Sequence, residues 1–89
     1  MCRYNHAKPY IAARESQNVR KLRRVSSAAH EAGILFIYIS AMLAAARIER
    51  SESTLAEIRQ TVRGTSIEYY AQKRCDLVSK YYIEVHESK

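Results

Sequence analysis

The sequence predicts an all-α protein, either a small helical bundle or a long helical hairpin. Three observations carry that. The 89 residues include only two glycines and one proline, too few turn formers for a chain of many short strands. Apolar residues recur at steps of three and four, the spacing of one helix face. Where that rhythm restarts, a hydroxyl residue stands three before a glutamate, the pattern that opens helices. At this length the chain is one domain, residues 1–89.

Residues 1–10, MCRYNHAKPY, show no periodicity and read as a basic N-terminal arm. From Ser16 the helical signal is strong: Val19, Leu22, Val25, Ala29, Ala32, Phe36, Ile39, Leu43 and Ala46 form one stripe. The phase runs on through Gly33. A glycine inside a helix costs only about 1 kcal/mol relative to alanine, so the stripe predicts one long helix over about 16–50, with a break at Gly33 as the alternative. A second helix is expected over about 54–63, opened by a Thr54–Glu57 capping box and lined by Leu55, Ile58 and Val62. Gly64 reads differently from Gly33. The pair Thr65 and Glu68 repeats the capping pattern after it, and the next stripe (Ile67, Ala71, Cys75, Val78, Tyr82, Val85) is rotated. That predicts a true break and a third helix over about 66–86.

Net charge is +6, and its placement is the informative part. Residues 1–30 hold seven Lys/Arg against Glu15 alone, whereas residues 31–89 hold eight of each sign. The excess therefore lies entirely in the first third. Arg14, Arg20, Lys21, Arg23 and Arg24 are the candidate contacts to an anionic partner, either an acidic protein surface or nucleic acid phosphates.

The stretch RKLRRVSSAAHEAGILFIYI invites comparison with a DNA-reading helix-turn-helix. Ala29, Gly33, Ile34, Ile39 and Met42 suit its buried spacing. Its outward positions would be Leu35, Phe36, Ile37, Ser40 and Ala41, and base edges are read by hydrogen-bonding side chains instead. The segment ILFIYISAMLAAA is apolar nearly all round, so most of its circumference must be covered. A small chain leaves part of it for a protein partner or a second copy. Leu35, Ile37, Tyr38 and Ala41 are the candidate interface there, joined by Tyr70 and Tyr81 from a Tyr70–Arg74–Leu77–Tyr81 stripe on the last helix.

Chemistry-bearing patterns are sparse. Cys2 and Cys75 are too few for a disulfide framework, which favours reduced thiols in an intracellular, cytoplasmic setting. Cys2 with His6, and Cys75 with His86, lack metal-site spacing, so no metal or other cofactor is expected. Cys75 sits on an apolar stripe and reads as a core residue. No nucleophile elbow or phosphate-cradling loop is present. The 15-residue apolar run 32–46 is short of the roughly 20 residues a membrane span needs. The expectation is a non-enzymatic helical interaction protein, such as a regulator, inhibitor or assembly subunit; the alternative is a nucleic-acid-binding regulator or ribonucleoprotein subunit that uses the basic third.

Overall fold

The computed structural model describes the backbone of residues 2–87 and the side chains of residues 16–81. Four helices follow one another: α1 (Cys2–Glu31), α2 (Leu35–Glu49), α3 (Glu52–Thr61) and α4 (Glu68–Glu87). The fold is a small all-α bundle with no strand among the described residues. Its backbone measures 50 × 29 × 15 Å. With helices packing 8–10 Å apart, a 15 Å depth is no more than about two helix layers.

The continuous helix expected over 16–50 is broken at residues 32–34. Gly33 takes φ 77°. Its amide donates to the His30 carbonyl at 3.1 Å, and the Ile34 amide donates to the Ala29 carbonyl at 2.9 Å. This pair of bonds is a Schellman cap, which satisfies the last carbonyls of α1 through a left-handed glycine. Apolar phase alone missed it because α2 is apolar on nearly every face, so a stripe can be drawn across the turn at almost any rotation. The consequence is testable. A Cβ added at Gly33 meets nothing within 4 Å, so Gly33→Ala carries only the left-handed backbone cost. It should destabilise the protein by about 1–2 kcal/mol in urea unfolding, whereas in an unbroken helix it would stabilise by about 1 kcal/mol.

Other boundaries shift for identifiable reasons. Residues 2–10, expected as an extended arm, are helical in backbone and belong to α1. Helix α3 starts at Glu52 instead of 54. Arg50 turns left-handed (φ 52°) and ends α2, which frees Ser51 to cap α3. The Thr54 amide donates to Ser51 Oγ at 3.2 Å. Thr54 is thus inside the first turn, buried, and is not the cap. Between α3 and α4, Gly64 (φ 81°) makes the expected break. The capping box there is displaced: the Gly64 amide donates to Glu68 Oε1 at 3.1 Å, while Thr65 Oγ1 donates back to the Val62 carbonyl at 2.6 Å. Helix α4 accordingly opens at Glu68.

Helix α2 is the hub, packing on α1, α3 and α4, while α3 also meets α4. The core joins Ala29 of α1 with Tyr38, Ile39, Met42, Leu43 and Ala46 of α2, Leu55 and Ile58 of α3, Val62 just beyond it, and Ala71, Cys75 and Val78 of α4, with Ile67 packed against it. The expected stripes of α3 and α4 are therefore real, although Tyr82 and Val85 lie outside the described side chains. The expected stripe of α1 and α2 holds only in part: Val19, Ala29, Ile39, Leu43 and Ala46 are buried. Val25, Ala32 and Phe36 are exposed, and Ser26 takes the buried place beside Val19 and Ala29.

Candidate interaction surface

Four residues, Arg23, Glu49, Thr54 and Glu57, knit α1 to the rest through polar contacts. The Arg23 guanidinium donates to Glu49 Oε1 at 3.2 Å and to Thr54 Oγ1 at 3.1 Å. Its other terminal nitrogen lies 3.8 Å from Glu57. Thr54 Oγ1 in turn donates to Glu49 at 3.2 Å, and Ser26 Oγ closes on the Arg23 carbonyl at 2.8 Å. Arg23, expected to face an anionic partner, is instead turned inward, where two carboxylates and a buried hydroxyl receive it. Arg20, Lys21 and Arg24 remain exposed. With Gln17 they line a shallow concavity of about 290 Å³ on one face of α1. The Arg14 side chain lies outside the described residues.

Beside the Arg23 network is a polar cavity of about 370 Å³ bordered by His30, Tyr38, Glu57 and Thr61. The Tyr38 hydroxyl donates to Thr61 Oγ1 at 3.0 Å, and Thr61 Oγ1 donates to the Glu57 carbonyl at 2.8 Å. The His30 ring tilts over Tyr38 at 5.5 Å. These bonds close on one another, and no buried side-chain N or O among the described residues is left without a partner. Tyr38 was expected at the interface; burial and this hydrogen bond make it a core residue. Ala41 is likewise buried, and Leu35 is half-buried. Both corrections follow from the turn at Gly33, which sets the rotation of α2 independently of α1. Ser26 is buried with its hydroxyl engaged.

The exposed apolar surface gathers on the outer side of α2 and α4. Phe36 (57% exposed) and Ile37 (43%) stand on α2; Tyr70, Leu77 (59%) and Tyr81 stand on α4. The Phe36 and Tyr70 rings stack with centroids 5.8 Å apart. At the other end, Arg47 joins Arg74, Leu77, Val78 and Tyr81 around a concavity of about 210 Å³. Since Phe36 meets Tyr70 and Arg47 meets the Leu77–Tyr81 turn, α2 and α4 run parallel, and the face between them, here called the α2/α4 groove, carries the ring pair at one end and the concavity at the other. Tyr70 and Tyr81 were expected at an interface and lie here; Ile37, also expected, is exposed on α2 about a quarter-turn round from Phe36. Phe36, Leu77 and Arg47 were not among the expected residues, although Leu77 and Arg74 already shared the tyrosine stripe in the sequence.

Cys75 is fully buried and unpaired. Its thiol donates to the Leu55 carbonyl at 3.8 Å. Burial pushes the thiol above its ordinary value of 9.0, and burial likewise raises Tyr38 above 10.0. In both cases the unfolded chain loses its proton first, so stability present at neutral pH is lost as pH climbs through 9 toward the raised folded values. The urea midpoint should fall progressively above pH 9, and Cys75→Ala should flatten the first part of that decline. Among the described residues no cluster of three metal-ligating side chains exists, and no helix is long and apolar enough to cross a membrane.

No protein-family model, curated protein or solved structure matches this chain.

Proposed function

We propose that this chain is a non-enzymatic helical interaction protein that binds a protein partner through the α2/α4 groove. The observation that carries this reading is the set of exposed side chains where α2 meets α4: Phe36 stacked on Tyr70, with Leu77 and Tyr81 further along α4. Apolar surface gathered in one place and rimmed by polar groups marks interaction sites, whereas single exposed apolar residues do not. Aromatic and arginine side chains are the groups that dominate binding energy at such sites. The groove holds both.

A second reading has its own observation. Arg20, Lys21 and Arg24 project from one face of α1 and can straddle phosphates. Contact of that kind gives binding without base readout, with a log–log salt slope near −0.9 per phosphate neutralised on duplex DNA.

Affinity capture from lysate separates the two. The bait is compared with a Phe36→Ser/Leu77→Ser variant and with an Arg20→Ala/Lys21→Ala/Arg24→Ala variant, each with and without nuclease. The first reading expects a protein retained after nuclease and lost only with the groove variant. If capture instead vanishes with nuclease and follows the basic variant, the second reading replaces it.

A further inference from the structure

Resting on the reading of the α2/α4 groove as an interaction surface, we propose that its occupant is an acidic amphipathic helix. Charge segregation around the groove supplies the argument. The described carboxylates of α2 and α4 are all engaged elsewhere. Glu49 faces α1 through Arg23 at 3.2 Å. Asp76 faces α3 through Arg59 at 3.2 Å. Glu68 accepts from the Gly64 amide and from Gln72. Arg47 and Arg74 meet at the groove's far end, and among the described residues neither forms an ion pair. Lys73, next to Arg74, lies over the Tyr69 ring at 5.2 Å. The face thus carries apolar Phe36, Tyr70 and Leu77 and is cationic at the Arg47–Arg74 end, and carboxylates complement that end.

Shape selects a helix. From Phe36 to Arg47 the face beside α4 spans eleven residue steps of α2, about 16 Å at 1.5 Å per residue, the length of three helical turns. A helix laid along it presents apolar anchors at i, i+3 or i+4, and i+7. One large anchor enters the concavity between Arg47 and Tyr81. Asp or Glu beside that anchor meets Arg47 and Arg74, which fork onto carboxylates. A second copy of the chain fits less well: a two-fold pairing places the same patch on both sides and brings four guanidinium groups together.

The test is selection from a displayed library of amphipathic helices about 16 residues long, using the full chain as bait. Enriched binders should carry Asp or Glu flanking a large apolar anchor and should be lost with Leu77→Ser. An Arg47→Glu/Arg74→Glu bait, checked for native helicity by circular dichroism, should bind those helices at least about tenfold more weakly and select Lys/Arg-flanked ones. Binders that depend on Leu77 but show no acidic bias overturn the acidic partner while leaving the interaction surface standing. Binders indifferent to Phe36 and Leu77, or no binders, overturn both. The proposal also fails if the wild-type chain sediments as a dimer that Leu77→Ser dissociates. It fails equally if phosphatidylserine vesicles, and no helix, are bound through Phe36 and Leu77.

Discussion

Ile58→Ala should be the most damaging single truncation on α3. Ile58 is fully buried among side chains of α2, α3 and α4, and only a two-layer packing surrounds it. Removing three carbons from such a site costs about 2–5 kcal/mol, the transfer loss plus the cavity left behind. A domain of 89 residues has about 4–13 kcal/mol in total, so a third or more of the stability goes with one side chain. For a domain of this size each kcal/mol lowers Tm by about 4–8 °C. Thermal melting by circular dichroism should therefore shift down by 10 °C or more, with about 20 °C the central expectation. Ile37→Ala is the control. Ile37 has the same side chain but stands 43% exposed on α2, and its truncation should cost less than about 0.5 kcal/mol. A large shift for Ile37→Ala would mean that the outer side of α2 is covered by this chain's own residues, and the contrast between core and surface would fail.

Arg23→Met should be the most costly change on α1. The methionine keeps the apolar stem and deletes the guanidinium that joins Glu49, Thr54 and Glu57. The two ion pairs are partly solvated, and each is worth at most about 1 kcal/mol. The buried Thr54 hydroxyl matters more, since losing a donor to a buried acceptor costs about 1–3 kcal/mol. Together they predict a loss of about 2 kcal/mol in urea unfolding. Arg20→Ala and Arg24→Ala, on the solvent side of the same helix, should each fall within about 0.5 kcal/mol. A double-mutant cycle pairing Arg23→Met with Thr54→Val should show coupling, whereas Arg20→Ala with Thr54→Val should add. Equal losses for Arg23 and Arg20 would remove Arg23 from its place as the fastener of α1. The contrast also bears on function, because only the solvent-facing arginines remain for an anionic partner.

Much of the architecture was legible in the residues themselves. Leu55, Ile58 and Val62 recur at helical spacing in a segment whose other faces are polar, and Ala71, Cys75 and Val78 do so beside a second stripe of Tyr70, Leu77 and Tyr81. The bulky tyrosines keep their hydroxyls at a wet edge, so the small and aliphatic stripe is the inner one, and those six residues are buried. The left-handed glycine at 64 was legible too, since the apolar face changes direction across it. The all-α class follows from these segments and from the scarcity of turn formers.

What only the tertiary structure decided lies where the sequence is degenerate. In ILFIYISAMLAAA every rotation offers an apolar stripe, so which side is core depends on the turn at Gly33 and on where α3 and α4 press. That choice buried Tyr38 and Ala41 and left Phe36 outside. The arginines posed the same problem with charge. Arg20, Arg23 and Arg24 are chemically alike and close in sequence, but only Arg23 comes within reach of Glu49, Thr54 and Glu57, residues 26 to 34 positions away along the chain. Local pattern sets which face of a helix is apolar when there is only one such face. Long-range packing decides when there are several, and it decides which charges are satisfied within the chain and which remain for a partner.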